Sequence, residues 1–173
     1  MNKFRFLLLD AGPIIKLFEL GLWDNFVEKC DVTICRTVAQ EGKWAHGEKQ
    51  DICIDLETYG RAGQMSILDV DLSVIKTFYE KFDSLYKADL DPGEKETLAF
   101  LDSSSEPWLV CAADGAVFRT LGLLGKGEQG VSLEKVLAEI GLARALEWQY
   151  TERFRQKYTR LGQMDSIQDK GLR

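Results

Sequence analysis

Apolar and polar positions alternate in blocks along this chain, and the blocks predict an order of elements. An apolar run over residues 4–9, ending Phe6-Leu7-Leu8-Leu9, predicts a strand buried on both faces. Asp10-Ala11-Gly12-Pro13 breaks it, and Ile14, Ile15, Leu17 and Phe18 begin a short helix. Pro13 suits the first helical turn, where its missing N–H costs nothing. Trp23, Phe26 and Val27 predict a second short helix, and residues 32–35 a second strand. Thr37, with Gln40 three residues on, predicts a capped helix through Val38, Glu41 and Trp44. Residues 48–63 are weakly patterned, and 65–70 suit a third strand.

Ile75, Phe78, Tyr79, Phe82, Leu85 and Tyr86 follow helical spacing and predict one helix. Asp91-Pro92-Gly93-Glu94 opens another through Leu98 and Leu101, with Asp91 and Glu94 as a capping box. Residues 107–113 read as a buried strand, followed by a helix from Asp114-Gly115 through Val117, Leu121 and Leu124. Residues 122–130 are glycine-rich and read as a flexible stretch. A short helix over 132–140 follows. A long one over 142–161 is expected, with Leu146, Tyr150, Phe154 and Tyr158 spaced four apart, and then a polar, frayed tail. Strands alternating with helices imply an α/β fold of three layers, α/β/α, around a mainly parallel sheet, with a C-terminal helical extension. Such sheets bind ligands at the carboxyl ends of their strands.

Composition narrows the chemistry. The 173 residues include one histidine, His46, too few for a Ser-His-Asp hydrolase or a multi-His zinc site. His46 itself reads as a surface or half-buried helical residue. The four cysteines form no C-x-x-C pair and read as buried free thiols of a reducing compartment. No apolar run approaches the ~20 residues of a membrane span, and Asp10 cuts the first one short of a signal-peptide core, so a cytoplasmic protein is expected. Acids outnumber bases, 28 to 22, for a net charge of −6. Residues 147–173 hold six of the bases and four of the acids, so the body before them carries 16 against 24. P-loop, dinucleotide-binding and D-x-D-x-T phosphoryl-Asp patterns are absent.

Position singles out a few acids. Asp10 and Asp114 each follow a predicted strand and precede a helix, and Glu41 and Glu94 fall within predicted helices. Helix capping or solvation accounts for each of them separately. If they converge, their mutual repulsion is relieved by a hard divalent cation with oxygen ligands.

In this light the motifs resemble a known family. Phe6-Leu-Leu-Leu-Asp10-Ala-Gly-Pro, Val38-Ala-Gln-Glu41, Asp91-Pro-Gly-Glu94-Lys-Glu96-Thr-Leu-Ala99 and Leu109-Val-Cys-Ala-Ala-Asp114 look, in order, like the acidic motifs of PIN-domain proteins, in the branch of VapC-like toxins. The resemblance covers about residues 4–125 and sets a PIN-like domain over 1–140 apart from an extension over 141–173. It implies a metal-dependent ribonuclease, with Asp10, Glu41, Glu94 and Asp114 catalytic. Asp10, Glu94 and Asp114 would hold Mg²⁺ or Mn²⁺. The resemblance also implies an antitoxin protein as partner, and a homodimer is expected. Lys16 and Arg119, about one helical turn past Asp10 and Asp114, are candidates by position for contact with an RNA phosphate, although a solvated side chain is the commoner role for either. The chain departs from the pattern at Ala112, where the family often has Thr or Ser, and over 115–118, which offer no further acid. The rival reading is a PIN-like domain that works by protein binding, favoured by the aromatic stripe near the C-terminus.

Overall fold

The computed structural model describes residues 4–173. The elements are, in chain order, β1 (Phe4–Leu9), α1 (Ala11–Glu19), α2 (Trp23–Lys29), β2 (Cys30–Cys35), α3 (Arg36–Glu41), β3 (Trp44–His46), β4 (Asp51–Cys53) and α4 (Leu56–Arg61). There follow β5 (Ser66–Leu68), α5 (Leu72–Tyr79), α6 (Ser84–Asp89), α7 (Pro92–Ser103), β6 (Leu109–Cys111), α8 (Gly115–Leu123), β7 (Gly130–Val131), α9 (Leu133–Glu139) and α10 (Glu152–Ile167). Five strands form one sheet in the order β5-β2-β1-β6-β7, every neighbouring pair parallel. The alternation of side chains across it builds two cores. Leu7, Leu9 and Cys111 point to one face, under α1, α2 and α9. Leu8, Val110 and Ala112 point to the other, under α5, α7, α8 and α10. Burial on both faces explains why the strands read as unbroken apolar runs. The three-layer α/β/α arrangement around a parallel sheet is thus observed.

The chain leaves β1 for β2 and β5 on one side, then returns to β6 and β7 on the other. This reversal puts the carboxyl end of β1 at the switch point, the usual ligand position in such a sheet. Among the described residues, no helix is long and apolar enough to cross a membrane.

Several elements differ from expectation. The helix after β2 stops at Glu41, because Gly42 ends it and Trp44 enters a hairpin. In that hairpin Trp44 faces Cys53, and His46 faces Asp51. His46 is therefore an exposed strand residue with its Nδ1 2.9 Å from Asp51, and Cys53 is exposed rather than buried. The helical spacing of 75–86 is cut in two because Asp83 accepts the N–H groups of Leu85 and Tyr86 and starts α6. The single helix expected over 142–161 is also broken. Tyr150 belongs to the core on one face of the sheet and Phe154 to the core on the other. One straight helix cannot serve both, so a 3₁₀ turn at Trp148–Tyr150 precedes α10, which Thr151 caps. The tail after Gly162 is ordered: α10 runs to Ile167, and Leu172 pairs with Phe82.

The glycine-rich stretch proves to be a packing seam. A Cβ on Gly122 would overlap the Thr159 carbonyl, and one on Gly162 would overlap the Arg119 carbonyl. The glycines let the backbones of α8 and α10 touch.

Candidate functional site

Asp10 stands at the N-cap position of α1, at the carboxyl end of β1, but its side chain makes no capping hydrogen bond. Its backbone N–H donates to the Cys111 carbonyl at 3.0 Å, tying this loop to the end of β6. Gly12 makes room for the contact: a Cβ there would lie 3.0 Å from that of Ala113. Asp114, the next residue, begins α8 and accepts the Ala116 N–H at 2.8 Å. From the other side, α7 supplies Asp91 and Glu94 in a reciprocal capping box, with bonds of 2.8 and 3.0 Å. Glu41, at the end of α3, rests against Gly93; its Oε2 would lie 2.8 Å from a Cβ at that position. A side chain at 93 would push the Glu41 carboxylate aside.

The electrostatics follow from this placement. Asp10 and Glu94 are buried, whereas Glu41, Asp91 and Asp114 are exposed at the rim. Burial pushes the Asp10 carboxyl up to about 7; the nearby Ala11 N–H opposes this, and the charges of Asp91, Glu41 and Asp114 add to it. Burial likewise pushes Glu94 up to about 8, against the Asp91 N–H and with the help of Asp10, Asp114 and Asp91. Glu41 is raised too, by desolvation first and then by Asp91. Asp10 Oδ1 is buried with no hydrogen-bond partner.

No protein-family model and no curated protein matches this chain.

Of the four acids singled out in the sequence, Asp10 is within electrostatic reach of the other three, and Glu94 also of Asp114. Asp91 joins them, although sequence reasoning reads it as a cap alone; its signal was its place one turn from Glu94. Glu96 serves elsewhere, accepting the Thr37 N–H at 2.9 Å and so capping α3 from α7. Lys16 is held by Glu19 at 3.0 Å and Glu147 at 2.6 Å, and it joins α1 to the segment before α10. Arg119 borders a cleft of about 230 Å³ that Asp114 also lines. Ala112, at one departure from the family pattern, is wholly buried.

The donor set is all carboxylate, which suits a hard cation such as Mg²⁺ or Mn²⁺. The unpartnered Asp10 oxygen fits that use. Among the described residues, no three His, Cys, Asp or Glu side chains stand as a ready-made metal cage. Glu94 and Asp114 each give one oxygen to a backbone N–H and keep the other.

Proposed function

We propose that this protein is a metal-dependent ribonuclease with a PIN-like domain, cleaving RNA phosphodiester bonds at the carboxylate cluster. The observation that carries the reading is the buried, unpartnered Oδ1 of Asp10 among like charges at the switch point of the sheet. An unpaired buried polar atom is costly unless a ligand uses it. Asp10, Glu94 and Asp114 would hold Mg²⁺ or Mn²⁺. Bound there, the cation supplies Lewis acidity: it neutralises phosphodiester charge and lowers the pKa of water. With carboxyls pushed up to about 7 and about 8, Asp10 is partly and Glu94 mostly protonated at neutral pH, and a cation held there would compete with those protons. Glu41, exposed at the rim with its proton affinity raised by desolvation and by Asp91, is the carboxylate placed to accept a proton. The toxin role and the antitoxin partner rest on the motif resemblance alone.

The test is RNA incubated with the protein and Mn²⁺ or Mg²⁺, with and without chelator, beside Asp10→Asn. Cleavage should be lost on chelation and in the variant. Equal, chelator-independent background in both proteins overturns the proposal and leaves the protein-binding reading.

A further inference from the structure

The C-terminal helix reaches the cleft beside the carboxylates. On α8, one turn beyond Asp114, the Arg119 Nε donates to Asp165 Oδ2 of α10 at 2.7 Å. The Tyr86 hydroxyl, from α6, donates to the same oxygen at 2.5 Å, and the guanidinium lies 5.1 Å from the centre of the Tyr86 ring. Three helices thus hold one arginine in place. The guanidinium uses its Nε–H on Asp165 and also meets the Tyr86 hydroxyl, out of five N–H groups in all. Arg119 lines two clefts. The smaller, of about 230 Å³, also contains Asp114 and Tyr158; the larger, of about 420 Å³, contains Tyr86, Asp165 and Lys170. Asp89 and Arg119 are common to both, so the two meet at the guanidinium. The approach of α10 that places Asp165 depends on the glycine seam at Gly122 and Gly162.

We infer that Arg119 binds a phosphate of the RNA strand adjacent to the scissile one, in the cleft it shares with Asp114, and that Asp165 and Tyr86 are positioning residues for it. The inference rests on the ribonuclease reading. A planar fork suits phosphate, and a clamped one has less rotamer freedom to lose on binding. The extension outside the family resemblance is then part of the substrate site. A preorganised arginine also answers the problem of a polyanion meeting an acidic body.

The test uses the full-length chain carrying Asp10→Asn and a labelled single-stranded RNA, with affinity measured across a salt series. Adding Arg119→Ala should weaken binding about tenfold and reduce the salt slope by about one. Arg119→Lys should keep the slope and recover only part of the affinity. Asp165→Asn removes a negative charge, so a general charge effect would tighten RNA binding; loss of positioning should weaken it several-fold. Thermal melts report folding, and if Arg119→Ala does not fold, the other two variants decide. Unchanged affinity and slope in Arg119→Ala, or its folding stand-in Arg119→Lys binding like its parent, overturns the phosphate role. Tighter binding by Asp165→Asn overturns the positioning role. In both cases the ribonuclease reading stands if the wild type still cleaves RNA in a chelator-sensitive way. If the wild type does not cleave and the Asp10→Asn parent does not bind, the ribonuclease reading fails and this inference with it.

Discussion

Asp10 is the residue on which chemistry and stability collide. Its carboxyl is pushed up to about 7 by burial, and Glu94 to about 8, from unfolded values near 4. The folded state therefore binds protons more tightly than the unfolded chain. Stability from this source is present below about pH 4 and drains away as pH rises through the folded values. Asp10→Asn removes one ionisation without changing shape. We expect the variant to match the wild type below about pH 4 and to be more stable near pH 8, by a few kcal/mol. In a thermal melt that is a rise on the order of 5 °C or more. A wild type whose stability climbs from pH 5 to 8 would contradict the assignment. At the same scale, Glu96→Gln tests the cap on α3. The amide accepts from Thr37 less strongly than the carboxylate does, at a cost of about 1 kcal/mol in urea unfolding. Asp10 and Asp114 are visible in the sequence because each directly follows an apolar run. Glu96 is hidden because its partner, Thr37, lies 59 residues away.

At the scale of elements, the contact between α8 and α10 makes a prediction against local propensity. An alanine in a helix is ordinarily better than glycine by about 1 kcal/mol. At Gly122 or Gly162 the added methyl would strike a carbonyl of the facing helix, and a backbone cannot rotate aside. Either Gly→Ala change should therefore destabilise by about 3 kcal/mol or more in denaturant unfolding, at or beyond the upper end of overpacking costs. Because α10 carries Asp165, the same changes should also weaken RNA binding. The glycines were legible as residues and misleading as a pattern: sequence alone does not distinguish a hinge from a seam. The start at Asp91 was legible because both halves of its capping box lie within four residues. The cap at Asp83 was not, because helical spacing runs unbroken through 75–86 and hides the restart. Breaks made by tertiary demand were hidden too. Spacing four apart runs through Tyr150 and Phe154, which nevertheless serve opposite faces of the sheet.

For the molecule as a whole, the carboxylates come to one end of the sheet only because the strand order reverses at β1. Local segments hold them separately, and folding brings their charges together at an electrostatic cost. On the proposed reading, a cation bound there would offset that cost and stabilise the folded state by mass action. Mn²⁺ at about a hundred times its dissociation constant stabilises by about 2.7 kcal/mol, or roughly 5–10 °C in the melting temperature of a chain this long. The effect should be large near pH 8 and shrink towards pH 5, where protons on Asp10 and Glu94 compete with the metal. Chelator should reverse it, and Asp10→Asn should lose most of it while melting higher without metal. That crossed pattern separates a specific site from a general attraction of cations to a chain of net charge −6, because a diffuse effect would survive loss of one carboxylate among 28. Equal melting temperatures with and without Mn²⁺ near pH 8 would mean that the cluster is relieved by protons alone, and the proposed metal chemistry would have no place to act.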